Sequence, residues 1–268
     1  MNTKFLVMVL LLFLFAKQDA YSQYGFSHEL GVIAGPVMLY SDYGERNNFE
    51  TNTKNVGFGI GIIHYLNFAY SAECNCYTRE TYFNDHFKIR NELDYHKTNL
   101  QHYGQWVGED RTSVGAEKLR GMSGSSSVLE IGSQLEYYPL SIRDFDGGRF
   151  KISPFISLGM HWVNFSPTAK TSYGTGKIKD NNNLIPKYYN SFQNEAGSTW
   201  AVVGSVGFRY KLNNISDLIL DSRWEYYFSD YVDGLNPTPE NNGGTPVPEN
   251  KSNDWIYWLN VGYIFYLN

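Results

Sequence analysis

The chain is short of charge, of cysteine and of long apolar runs, and each shortage excludes something. Of its 268 residues, 18% are Asp, Glu, Lys or Arg, against about 25% in ordinary soluble domains. The formal net charge is −5 and no basic block stands out, which argues against a nucleic-acid partner. Only two cysteines are present, Cys74 and Cys76, in "CNC". A bridge across one intervening residue is geometrically tight, and this pair alone offers too few ligands for a structural zinc site. Beyond Tyr24 no apolar run approaches the roughly 20 residues of a transmembrane helix. The catalytic signatures G-x-S-x-G and H-E-x-x-H and a phosphate-binding loop are missing. The expectation is a protein without enzymatic activity and without a cofactor.

Aromatics, by contrast, reach 17%, with 22 Tyr, 17 Phe and 6 Trp. The mean hydropathy of −0.40 excludes a helical membrane protein. It is compatible with a membrane barrel, whose apolar residues are spread over alternate positions. The N-terminus reads as a targeting signal. Lys4 precedes "FLVMVLLLFLFA", and the small residues Ala20 and Ser22 follow at the −3 and −1 positions. This predicts a signal peptide over residues 1–22, cleaved after Ser22, and a single exported domain over 23–268. Any membrane residence of the mature chain must then be as a closed barrel.

The stretch "VGFGIGIIHYLNFAY" (56–70) alternates with period two. Val56, Phe58, Ile60, Ile62, Leu66 and Phe68 fall on one face, and Gly57, Gly59 and Gly61 on the other. His64 is the polar exception on the apolar face. Segments 28–40, 85–98, 127–139, 150–165, 200–212, 217–228 and 254–268 alternate likewise. Runs of about 10 to 15 residues exceed the globular mode of about 5 to 6 and suit tilted membrane strands. An even count suits closure. Connections 41–55, 99–126, 166–199 and 229–253 are long and polar, while the turns after the fourth and sixth strands are shorter. The prediction is an all-β, eight-stranded antiparallel up-and-down transmembrane barrel of outer-membrane type, with the long loops outside.

Alternation does not orient the faces by itself, because a soluble exported ligand-binding barrel alternates apolar-inward. Three features favour apolar-outward. A lumen of eight strands is too narrow for the many Trp, Tyr, Phe and Leu of the apolar face. The opposite face carries charges of both signs: Lys88, Arg90, Arg209, Lys211 and Arg223 against Glu92, Asp94, Glu130, Glu136, Asp221 and Glu225. Such buried charges need partners. Aromatics such as Trp162, Trp200, Trp255, Tyr137 and Tyr263 gather near strand ends, as interfacial girdles do. Gly57, Gly59 and Gly61 are expected to make room for long charged side chains.

Candidate sites are few. "SDYGE" (41–45) and "SDYVDG" (229–234) end strands that run the same way, so Asp42, Glu45, Asp230 and Asp233 are candidates for a rim cation site with oxygen ligands. The competing reading is local turn bonding by Ser and Asp. His161 with Ser157 or Ser153 is the nearest approach to a hydrolytic pair, but it faces the lumen, where filling is its expected role. At the opposite end, segments 71–84, with Cys74 and Cys76, and 140–149, with Arg143, Asp144 and Asp146, are the candidate partner-binding surface.

"ELGVIAGPVMLYSDYGE", "GFGIGIIHYLNF", "LEYYPL" and "WEYYFSDYVDGLNP" resemble a family of Bacteroidota outer-membrane barrels. The stretch "CNCYTRETYFNDHFKIRNELDYHKTNLQHYG" is similar to the flavobacterial branch. The opening E-x-G, the rim S-D-Y-G and the late D-Y-x-D are similar to the PorG-type barrel. That resemblance implies an anchor in the type IX secretion and gliding machinery, with outer-membrane lipid around it and a periplasmic ring or lipoprotein partner. A surface binding protein or adhesin acting through loops 166–199 and 229–253 is the alternative.

Overall fold

In the computed structural model, residues 26–45, 48–68, 81–237 and 253–267 are described. The expected signal peptide and Cys74 and Cys76 lie outside the described residues. Eight strands close into one antiparallel barrel in sequence order. They are β1 (Ser27–Tyr40), β2 (Val56–Asn67), β3 (Phe87–Gln101), β4 (Met122–Tyr137), β5 (Ile152–Thr171), β6 (Gly197–Asn213), β7 (Ser216–Tyr227) and β8 (Trp255–Leu267). Closure is made by β1 with β8, His28 standing opposite Leu267 and Tyr40 opposite Trp255. Among the described residues four short α-helices sit in connections: α1 (Phe49–Asn52), α2 (Tyr82–His86), α3 (Val114–Gly121) and α4 (Ile142–Asp146). No helix among the described residues is long and apolar enough to cross a membrane.

The faces are inverted relative to a soluble protein. Leu158 is 66% exposed, Ile60 53% and Val261 61%, whereas Arg90, Arg209 and Arg223 are 0% exposed. Water would not tolerate the first set outside, and a dry interior would not tolerate the second without partners. The outer surface is therefore that of a membrane-spanning barrel. The soluble barrel with an apolar interior does not hold.

Four strands outrun the apolar pattern at the long-loop end: β3 runs on to Gln101, β6 starts at Gly197, and β4 and β5 extend furthest. β4 starts at Met122 rather than 127, and β5 continues to Thr171 rather than ending at 165. In the extra ladder, Ser123, Ser125 and Ser127 stand opposite Lys170, Thr168 and Ser166. Outward positions here face water above the lipid band, so hydrophobic alternation stops while strand pairing goes on.

The lumen is less purely charged than expected. Trp258, Tyr65, Phe155, Ile33 and Ile63 are also buried inside. The glycines of β2 accordingly have different tasks. A Cβ on Gly59 would come within 2.9 Å of the Trp258 ring, so this residue makes room for an aromatic. Gly61 does serve a charged side chain, because its Cβ would collide with the Asp94 carboxylate. At Gly57 the obstacle is the backbone of Lys97 and Thr98 on β3.

Candidate functional site

Inside the barrel, period-two alternation sends the charged residues of β1, β3, β4, β6 and β7, with His161 of β5, to one axis. Arg223 on β7 lies 2.6 Å from Glu92, 2.9 Å from Asp94, 3.3 Å from Asp221 and 3.4 Å from Glu225. Arg90 on β3 reaches Glu136 at 3.1 Å and Asp221 at 3.0 Å, and also pairs with Glu92. A second cluster, nearer the short-turn end, joins Arg209 to Glu29 at 2.6 Å and Asp217 at 2.8 Å, with Lys88 on Glu29 at 2.6 Å. Tyr65 connects the two, donating to Glu136 at 3.2 Å and lying under the Arg209 guanidinium. The expected charge pairing is present, with Glu29 and Asp217 as further members. Such pairs add little net stability over apolar filling, but losing one partner is costly.

Two luminal groups have the donor set for a metal: Glu92, Asp94 and His161, and His96, Glu130 and Glu225. Both are occupied by protein cations and donors. His161 places one nitrogen 3.1 Å from Glu92 and the other 3.1 Å from Glu130, contacts that an imidazolium satisfies by donating twice. Arg223 already holds Glu92, Asp94 and Glu225. The hydrolytic pairing of His161 with Ser157 is not formed. Ser157 donates to Gln134 at 2.7 Å, and the Ser153 hydroxyl is buried without a hydrogen-bond partner.

The short-turn end is closed by α4. Ser141 caps it by accepting from the Asp144 N–H at 3.1 Å. Ile142 and Phe145 are buried, and Lys211 lies over the Phe145 ring. Of the expected partner-binding residues, Asp144 faces outward and pairs with Arg149 at 2.7 Å. Asp146 is instead turned into the mouth, where it accepts from Tyr266 at 3.2 Å and from Asn67 at 3.4 Å. Burial raises its pKa. The Arg143 N–H donates to Asp85 at 3.2 Å, tying α4 to α2.

At the long-loop end the four rim acids divide. Asp233 is buried, accepts from the Asp42 N–H at 2.9 Å and from the Leu235 N–H at 2.7 Å, and its pKa is pushed well up by burial and by the Asp42 carboxylate. Asp230 adds to that repulsion. Glu45 is committed elsewhere, accepting from the Gln105 N–H at 3.0 Å and from Asn48 at 3.1 Å. Glu45 is thus turned away from the other three acids, and Asp233 acts as a turn acceptor for the Leu235 N–H. Above them, Tyr43, Leu184, Tyr188, Val232 and Leu235 pack into a buried cap. Beside it lies a cavity of about 310 Å³ lined by His102, Tyr103, Trp106, Leu119, Lys187 and Tyr188. His102 accepts from the Gly44 N–H at 3.1 Å. Burial, reinforced by Lys187, lowers its pKa to about 3. Sequence reading missed Trp258 and His102. Trp258 shares the inward register of Asn260 and Gly262, a signal that was present. His102 sits in a loop, where no periodicity marks it.

No family model matches the chain, and no curated protein matches it. Among solved structures the chain is similar to Neisserial surface protein A, with 12% identity over 90% of this chain and 99% of that one, at a TM-score of 0.45. It is similar to a major outer membrane protein of Thermus thermophilus, with 13% identity over 90% and 99%, at 0.45. It is also similar to the outer membrane protein OprG of Pseudomonas aeruginosa, with 14% identity over 90% and 97%, at 0.40. The assignment of the fold rests on the closed eight-stranded topology and its inverted faces.

Proposed function

We propose that the chain is a non-enzymatic, non-conducting outer-membrane barrel that serves as an anchor in an envelope machine, with type IX secretion as the specific machine. The observation that supports it best is the lumen, crossed by Arg90, Arg209 and Arg223 with their carboxylates and closed by α4 below and the loop cap above. A filled barrel acts through its ends, and burial of both mouths leaves outer surfaces as the means of contact. The specific machine follows from the resemblance of the rim and strand motifs. In this reading outer-membrane lipid surrounds the barrel. The partner, a periplasmic ring protein or lipoprotein, meets segments 71–84 and 140–149, with Asp144 on the accessible face.

The test is crosslinking and pull-down from native outer membrane. Recovery of one periplasmic ring protein or lipoprotein, reduced by an Asp144→Lys change, is the expected result. A second reading, a surface binding protein, is favoured by the loop-end cavity. If no periplasmic protein is recovered and trimming the outer loops alone abolishes the phenotype, the anchor reading fails and the surface reading stands.

A further inference from the structure

One polar stripe lies on the lipid-facing side. His64 stands directly opposite Asn91, and Asn91 opposite Ser133, across β2, β3 and β4. Each is the fourth residue above an aromatic at the foot of its strand: Phe68, Phe87 and Tyr137. At about 3.4 Å per residue and a tilt near 40°, that is roughly 10 Å into the apolar band. Its outward neighbours are Leu30, Ile62, Leu93, Ile131 and Leu135. Polar groups in such a place are costly and carry functional meaning by default.

The stripe is hydrogen-bonded end to end. Ser133 donates to Asn91 Oδ1 at 2.6 Å, Asn91 Nδ2 lies 3.4 Å from His64 Nδ1, and His64 Nε2 lies 3.1 Å from Nδ1 of His28 on β1. His28 is exposed, and the two imidazoles are stacked with centroids 5.3 Å apart. Just below, Phe26, Phe68, Phe83 and Phe87 form an aromatic cluster, so the histidine pair is within reach of the short-turn interface.

We infer that His28 and His64 form a bidentate site for a borderline divalent transition cation such as Zn²⁺ or Cu²⁺. Nitrogens bound at about 2.0–2.1 Å to one ion stand about 3.3 Å apart in tetrahedral geometry and about 2.9 Å apart at a right angle. The observed 3.1 Å falls between these values. Binding needs Nε2 of His64 free of its proton. That proton shifts to Nδ1, the Asn91 amide turns so that its Oδ1 accepts it, and Asn91 Nδ2 then donates to Ser133. The Ser133–Asn91 and Asn91–His64 links reverse, and the His28–His64 hydrogen bond gives way to the two bonds to the cation. Asn91 and Ser133 are thereby the supporting shell that orients a ligating histidine. His28, opposite Leu66 and two residues nearer the foot than His64, is the side on which water from the short-turn interface supplies the remaining ligands.

The test uses the full chain, folded in detergent and verified by heat-modifiable migration, in a Cys74→Ser/Cys76→Ser background because thiols also bind these ions. Zn²⁺ alone is titrated calorimetrically, and Cu²⁺ is examined by electron paramagnetic resonance. The expected result is one saturable site with two imidazole nitrogens. Affinity falls at least tenfold in His28→Gln and in His64→Gln, and stays unchanged in His86→Gln. Asn91→Ala weakens affinity about 10- to 100-fold while keeping the two-nitrogen signature. Should His64→Gln not fold, His64→Asn and His28→Gln carry the comparison. Absence of a one-equivalent site, or equal affinity in either histidine variant, overturns the inference and leaves an adventitious ion only.

Discussion

Arg223 is the side chain on which most of the central network turns. It meets four carboxylates and lies over the Trp258 ring, with its guanidinium carbon 4.8 Å from the ring centroid. Replacing it by methionine keeps the volume and removes the charge, leaving Glu92, Asp94, Asp221 and Glu225 short of a cation. The expected cost is about 3–5 kcal/mol, the range for breaking a buried pair from one side. The urea midpoint of the folded barrel in lipid measures it, and a loss below about 1 kcal/mol would mean that the network relaxes around the vacancy. Glycines allow a finer comparison at the same scale. Gly59→Leu forces a side chain against Trp258 and should cost about 1–3 kcal/mol by overpacking. Gly204→Ala should be nearly silent, since its new Cβ meets only the Ser157 carbonyl, at 3.7 Å. Equal losses in the two would refute the assignment of Gly59 as space for Trp258.

Among the elements, β2 holds the sharpest contrast between neighbours. Ile60 points to lipid and is 53% exposed, while Gly59 and Gly61 on either side are buried. Ile60→Arg should therefore hinder insertion by about 2–4 kcal/mol if it lies near the midplane, measured by folding yield into vesicles. Normal insertion would invert the orientation argued for the whole barrel. The same strand shows why so much of the fold was legible in the sequence. Its two faces meet lipid and a packed lumen, so the residue types differ at every step. Legibility stopped where that difference stops. Residues 122–126 and 166–171 pair as strands above the bilayer, where both faces tolerate small polar residues. The loop cap was illegible for a related reason. His102, Tyr188 and Asp233 come together only through long-range packing, which leaves no period in the chain. The rim acids were read as a candidate ligand set because sequence shows carboxylates but not the backbone N–H groups of Asp42 and Leu235 that Asp233 accepts from.

For the molecule as a whole, the lumen is filled independently of its two lids, and that independence is testable through pH. With the outer cap open, His102 has the ordinary pKa of 6.5; with it closed, about 3. Between those values the open form binds a proton that the closed form does not, so acid favours opening. By pH 5 this amounts to about 2 kcal/mol. Asp233 acts with the opposite sign, because its raised pKa makes the closed form the one that binds the proton. The quantity to compare is therefore the wild type against His102→Gln, in which Asp233 is unchanged. Between pH 7 and pH 5 the wild type should lose about 2 kcal/mol more of cap closure than the variant, measured by protease nicking of the outer loops and by quenching of Trp106. Planar-bilayer recordings over the same range should stay silent, because opening the cap leaves Arg90, Arg209 and Arg223 and their carboxylates in place. A conductance step that follows cap opening would show that the loops, and not the luminal network, seal the barrel, and the anchor reading would lose its main support.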